Sequence, residues 1–384
     1  MRRAAWAIAL LITCTTASCG DGDGGEPDAS VDAGREDAGR FDDVAWPALD
    51  EAARDEALAP REGVIEVVID TDLGNEIDDQ FAVVHALLAP ERLDVRAIHA
   101  APWGISGELI TSPAFTSVLD ARLLREQLAE RGVDPASFPT IRPSIGMSRA
   151  FDEATEITAL LGRDVPVFHG AGRYLGTDPL SPVASEATES LIALAREPRD
   201  GPLYVLALGA ITNVASALLL APDLVEHIVV VWASAYPSFW PSPNASYNLA
   251  QDVAAARVVL ASGVPFVYVP GFFVAEELRV TRPEIAANVE GAGALREYLF
   301  TLYENHPIDG DHFAGRSKVL WDMAVTAWAL DPAWTESALV ATPSLDEALR
   351  WSPRAGAPVM REVRDLHRDG VMRDFYARLA ATDP

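Results

Sequence analysis

The sequence predicts an α/β protein with a mostly parallel sheet and helices on both faces. Three observations support this. Apolar runs of strand length recur at 64–69, 95–100, 165–168, 203–208, 228–231, 266–269 and 358–363. Amphipathic stretches with helical spacing lie between most of them, at 114–129, 149–161, 185–196, 214–221, 253–261 and 321–329. Strands alternating with helices build a parallel sheet that needs cover on both sides. Finally, 49% of the 384 residues are hydrophobic and 23% are charged, which is ample material for one large core.

The chain opens on Met1-Arg2-Arg3, followed by an apolar segment over 4–13, too short to span a bilayer. Thr16-Ala17-Ser18 then precede Cys19. This reads as a secretory signal. It resembles a bacterial lipoprotein signal, with Cys19 as the acylated first mature residue and the single membrane contact. Plain cleavage near Ser18 is the other reading, since Thr16 stands where such signals usually carry Leu. Export is expected in either case, to the periplasm or as a membrane-anchored lipoprotein of the cell envelope. The 2 cysteines, Cys14 and Cys19, lie in or beside the signal, so residues 20–384 hold no disulfide and no thiol nucleophile. Residues 20–62 are acidic and poor in large apolar side chains, which predicts a disordered linker with a short helix at 49–58. Residues 63–384 are read as one catalytic domain. The formal charge of −27 argues against nucleic acid as a partner.

The first strand, 64–69, runs into Asp70-Thr71-Asp72-Leu73-Gly74-Asn75-Glu76-Ile77-Asp78-Asp79, and a helix follows over 81–88. Asp70, Asp72, Glu76, Asp78 and Asp79 therefore crowd the carboxyl end of a strand, where open α/β sheets place their ligands. Such close like charges repel unless something cationic joins them, and a hard divalent ion with oxygen ligands is the simplest remedy. No basic residue lies nearby in sequence. The plainer reading is that Asp78 caps the helix and Asp72 braces the turn.

Asp70-Thr71-Asp72-Leu73-Gly74 with Asp78-Asp79 resembles the amino-terminal signature of the nucleoside hydrolases, the inosine–uridine-preferring family, in a form with a longer turn after the glycine. Later elements extend the likeness in order. Residues 103–146 form an irregular excursion after the second strand. Trp103 in it is read as a packing residue, with a substrate contact as the alternative. Pro166-Val167-Phe168-His169-Gly170 matches a strand end of the family, and Leu208-Gly209-Ala210-Ile211-Thr212-Asn213 a turn. Ser246-Tyr247-Asn248 and Asp252 align with its asparagine segment, Asp252 reading as a helix cap. Here Ser246 stands where members carry Glu, and Trp240 where many carry a second Asn. Trp321-Asp322 closes the set, with Trp321 where many have His, as in purine-specific members.

The resemblance implies a Rossmann-like fold and calcium-dependent hydrolysis of the N-glycosidic bond of ribonucleosides. It assigns one Ca²⁺ to Asp72, Asp79, Asp322 and the Leu208 carbonyl, with metal-bound water as nucleophile and Asp72 as general base. Asp78 and Asn248 would bind ribose hydroxyls, and Trp321 would stack on the leaving base, favouring purines. Ser246 and Trp240 would face the 5′ end of the ribose, where the changes point to a modified nucleoside. His306, Asp311 and His312 precede Trp321 in a loop and are candidates for a leaving-group acid. His85 and His99 read as core residues. Members are commonly dimers or tetramers, so a homo-oligomer is expected. Two competing readings remain. A phosphatase of the haloacid dehalogenase type also opens with Asp-x-Asp after a strand, but needs a downstream lysine, and the chain has only Lys318. The other is a secreted protein that binds calcium and ribose without turnover.

Overall fold

The architecture comes from a computed structural model that describes residues 44–106, 132, 134, 136, 140–176, 178–244, 246–305 and 317–382. Cys14, Cys19, the rest of the signal and linker before residue 44, the helix expected at 114–129, and His306, Asp311 and His312 lie outside the described residues.

Helix α1 (Glu51–Leu58) is capped by Asp50, which accepts from the Ala53 N–H at 2.7 Å. Residues 44–62, read from composition as the end of the linker, are thus packed onto the domain. Leu58 is buried, the Arg54 guanidinium donates to the Gly263 carbonyl at 2.7 Å, and Arg361 Nε donates to the Leu58 carbonyl at 2.5 Å. A few apolar and arginine side chains anchor a segment whose acidic composition predicts a free chain.

The first half alternates strand and helix: β1 (Ile65–Thr71), α2 (Asp78–Leu87), β2 (Leu93–Ala100), α3 (Pro143–Leu160), β3 (Val167–His169), α4 (Glu186–Ala195), β4 (Leu203–Ala207), α5 (Thr212–Leu220) and β5 (Ile228–Ser234). Next come α6 (Tyr247–Gln251), α7 (Val253–Ser262), β6 (Phe266–Pro270), β7 (Arg279–Val280), α8 (Arg282–Asn288) and α9 (Ala294–Glu304). The chain finishes with β8 (Lys318–Val319), α10 (Met323–Leu330), β9 (Thr335–Ala341), β10 (Ser344–Leu345), β11 (Trp351–Ser352), β12 (Val359–Leu366) and α11 (Arg368–Ala380).

Eight strands form the central sheet in the order β3-β2-β1-β4-β5-β6-β12-β9. All pairings are parallel except that of β9 with β12. The inner strands are apolar on both sides because both faces are covered. Val67 and Ile69 point into one core with residues of α2, α10 and α11, and Val68 into the other with residues of α5 and α7.

The strand order fixes where a ligand can enter. The chain runs outward from β1 through β2 to β3, then returns to β4 on the opposite side of β1. The connections beyond β1 and β4 therefore diverge and leave a crevice at the carboxyl ends of these strands. The acidic motif follows β1, and Leu208-Gly209 follow β4, so both open into that crevice. Helix α10 packs on α2, which brings the segment before Met323 to the same place.

Candidate active site

The turn after β1 carries Gly74 with φ +82°, a left-handed conformation that favours glycine. It delivers Asp78 and Asp79 to the first turn of α2, where the exposed N–H groups of a helix favour negative charge. Asp322 stands immediately before α10 and makes no capping hydrogen bond to it. The plain cap readings of Asp78 and Asp322 therefore do not hold, since neither side chain caps its helix. Oxygen atoms of Asp78, Asp79 and Asp322 instead lie within 4.8 Å of one another, all buried. The Asp79 carboxyl is within hydrogen-bonding reach of both Asp322 and Asp72.

The four carboxyls line one cavity together with Glu76, Asn248, Ser246, Ser234, Phe272 and Trp321. Asn75 Nδ2 donates to Asp72 Oδ2 at 3.1 Å, and Thr71 Oγ1 donates to Asp79 Oδ1. Gly209 lies so close to Asp72 that a Cβ there would meet the Asp72 side chain at 2.9 Å. Sequence reasoning did not single out these supports. The signal for Asn75 was its place inside the acidic turn, and that for Gly209 its place at the end of an apolar strand.

Burial first, and the mutual charge of the carboxyls second, raise the cluster above the ordinary carboxyl range. Burial raises the Asp72 carboxyl well above the ordinary range, and the Asp79 and Asp78 charges raise it further. Burial and then the Asp78 and Asp79 charges do the same to Asp322. Asp78 is pushed up to about 8 by burial, against the pull of Lys318. Asp79 is pushed up to about 6 by burial, with the Thr71 hydrogen bond opposing. Asp78 Oδ1 is buried without a hydrogen-bond partner. An all-oxygen donor set with an orphaned acceptor suits a hard divalent cation, which would lower these values.

The other expected residues fall in different places. The Leu208 carbonyl accepts from Asn248 Nδ2 at 2.5 Å, so these two meet, and Leu208 N–H donates to the Asp70 carbonyl at 2.7 Å. Ser246 Oγ lies 2.8 Å from Ser234 Oγ, so that wall carries hydroxyls and no charge. Trp240 does not line the cavity. It stacks on Tyr236 with centroids 4.7 Å apart, Tyr236 stacks on Phe272 at 4.1 Å, and Phe272 meets the edge of Trp321 at 5.5 Å. Trp240, expected at the substrate, is thus linked to the cavity-lining Trp321 only through Tyr236 and Phe272.

Asp70 belongs to the scaffold. It accepts from Asn213 Nδ2 at 2.9 Å, the same amide nitrogen donates to the Ala100 carbonyl at 3.2 Å, and Asn213 Oδ1 accepts from the Ala171 N–H at 2.8 Å. The Thr212-Asn213 turn thereby ties the ends of β1 and β2 to the exit of β3. Asp252 caps α7 and accepts from Thr212 Oγ1 at 2.6 Å. His85 and His99 are buried away from the cavity, on Asp374 at 2.9 Å and Ser190 at 3.0 Å. Trp103 is fully buried against Gly146 and is a packing residue. The acidic turn, which has no basic neighbour along the chain, has one in space: Lys318 arrives from a distant segment to pair with Glu76.

Fold and site define a class: a parallel α/β protein whose ligand crevice is floored by carboxylates fit for a hard cation. Comparison with known proteins gives the family. The profile of the inosine-uridine preferring nucleoside hydrolases matches residues 140–370, more than half of the chain, and the chain belongs to that family. The matched span includes Asn248 and Trp321-Asp322, while the acidic motif after β1 precedes it. The chain is 27% identical over 280 residues to the non-specific ribonucleoside hydrolase RihC of Salmonella agona, covering 70% of this chain and 79% of that protein. It is 27% identical over 281 residues to RihC of Klebsiella pneumoniae, covering 70% and 80%. Among solved structures it resembles a plant nucleoside hydrolase, PpNRh1 (TM-score 0.59, 20% identity, 83% of this chain and 99% of that one). It also resembles a purine-preferring ribonucleoside hydrolase from Gardnerella vaginalis (TM-score 0.56, 18% identity, 82% and 98%). At such identities the structural likeness speaks for the fold.

Proposed function

We propose that this protein hydrolyses the N-glycosidic bond of ribonucleosides, with Ca²⁺ in the carboxylate cluster and a preference for purines or modified nucleosides. The observation that carries the reading is the convergence of Asp78, Asp79 and Asp322 beside Asp72, in a cavity that also holds Asn248 and Trp321. The ribonucleoside hydrolase activity in the names of the relatives agrees with it.

When bound, the cation supplies positive charge that makes water a better acid and draws in sugar hydroxyls. Asp79, Asp322 and the neighbouring Asp78 or Asp72 are the side chains to hold it. Asp72, fixed by Asn75, accepts the proton of the attacking water as general base. A bond forms from the water oxygen to the anomeric carbon as the bond to the base nitrogen breaks, and the base leaves with that electron pair. The sugar carries positive charge midway, and the acidic floor stabilises it. Asn248 and Asp78 orient the ribose hydroxyls. Trp321, half-buried at the cavity wall and braced by Phe272, offers its ring to the leaving base. This supports a purine preference. The Ser234–Ser246 wall carries no charged grip for a 5′ hydroxyl, which favours a modified ribose as a second reading.

The test is release of free base and reducing sugar from purine, pyrimidine and 5′-modified ribonucleosides, in calcium chloride and in chelator. Calcium-dependent release, strongest for purines and weakened for them by Trp321→Ala, is expected. Calorimetric binding without product would replace hydrolysis by simple binding of the nucleoside.

A further inference from the structure

Lys318 is the single lysine of the chain, and it is buried beside the carboxylate cluster. It opens β8, four residues before Asp322. Its ammonium forms an ion pair with Glu76, whose carboxylate lies in the turn between Asp72 and Asp78 and lines the same cavity. The side chains are 4% and 13% exposed, so water screens the pair weakly. A buried ammonium is costly to place unless its surroundings are strongly negative. Here they are: Asp72, Glu76, Asp78, Asp79 and Asp322 share one cavity.

The pair spans 242 residues of sequence and joins the two segments that supply the cluster, 72–79 and 318–322. One divalent cation does not neutralise five carboxylates. Lys318 offsets the charge that Glu76 adds from within the turn. From this we infer that Lys318 is a positioning residue and built-in countercharge, which holds the acidic turn against the Asp322 segment before a divalent cation arrives. Lys318 repels the arriving cation in turn, so it sets the affinity of the site as well as its geometry. The inference rests on the cation site proposed above.

Thermal melting in chelator and in calcium chloride tests it without reference to activity. Wild-type protein should melt higher in calcium chloride. Lys318→Met should melt lower than wild type in chelator but gain more from calcium chloride, with calcium bound about tenfold more tightly by titration. The gain in affinity wins because the lost repulsion acts on a doubly charged ion, whereas the reordering involves one short turn. Lys318→Arg keeps the charge and should resemble wild type. Glu76→Gln with Lys318→Met restores the net charge of the site and should return the calcium shift to near wild type. A purely structural lysine would lower both melting points of Lys318→Met equally and leave the shift unchanged, which overturns the inference. If Lys318→Met folds in neither condition, the double variant decides: a wild-type shift supports charge balance, and a lost shift overturns it. If wild-type protein responds to no divalent cation, the cation site itself falls, and that result is distinct from an unchanged shift in Lys318→Met.

Discussion

Two residues at the proposed general base, Asp72 and the glycine that abuts it, can be tested singly. Asp72→Asn keeps the shape and removes the base, so sugar release should fall about a hundredfold or more while the protein stays folded. Near-wild-type turnover would remove Asp72 from that role. Gly209 has no chemistry, yet a Cβ there would press on Asp72 at 2.9 Å. Gly209→Ala should therefore cost roughly 1–3 kcal/mol of stability by denaturant unfolding and also lower turnover, through displacement of Asp72. An unchanged variant would show that this contact is soft. Asp72, Asp79 and Asp322 were picked out through the family resemblance carried by Asp70-Thr71-Asp72-Leu73-Gly74, Asp78-Asp79 and Trp321-Asp322; alone, Asp322 reads as a helix cap. Gly209 and the Glu76–Lys318 pair were not picked out, because their roles are contacts between distant segments; Asn75 supports Asp72 from three residues away, but an amide in an acidic turn has no pattern that marks it. Trp240 shows the opposite error: its position in the motif was read as a substrate contact, but two stacked rings separate it from Trp321.

At the scale of elements, every strand expected from an apolar run is found in the parallel part of the sheet. The edge strand β9 was not expected: its apolar residues are confined to Ala338–Ala341 after a polar first half, and none of its positions is fully buried. Helices α8, α9 and α11 were also missed, as charged residues interrupt their apolar positions. What the elements do together has a consequence for pH. Helices α2 and α10 bring their amino-terminal carboxyls into one buried site, raising Asp79 to about 6 and Asp78 to about 8, with Asp72 and Asp322 also raised. A carboxyl raised in the folded state favours folding while it is protonated. Its contribution is present below the ordinary value of 3.8 and is lost as pH rises through the folded value. Without a cation, the melting temperature should therefore fall between about pH 4 and pH 8, apart from whatever other groups contribute. Calcium should restore more of it at the upper end, where protons no longer compete. Melting curves in chelator that rise across that window would contradict this account of the cluster.

For the whole molecule, strand order decides where the site lies. Local patterns reveal strands but not their sequence across the sheet, so the crevice between β1 and β4 was legible only as a general expectation for α/β proteins. That order, with the packing of α10 on α2, closes a long loop of chain between Asp72 and Asp322. A cation shared across this closure binds the native state and finds no such cluster in the unfolded chain, so it stabilises the entire domain. At a free calcium concentration a hundredfold above the dissociation constant the gain is about 2.7 kcal/mol. For a domain of this size that corresponds to roughly 5 °C in melting temperature. Removing calcium with chelator should lower the melting point by that amount, and adding excess calcium chloride should restore it. Asp322→Asn weakens one end of the closure and should shrink the shift without unfolding the protein, because Asn keeps the volume and adds no buried charge. A full shift in that variant would mean that the ion is held by the β1–α2 turn alone, and the 72–79 and 318–322 segments would then meet through packing and the Glu76–Lys318 pair.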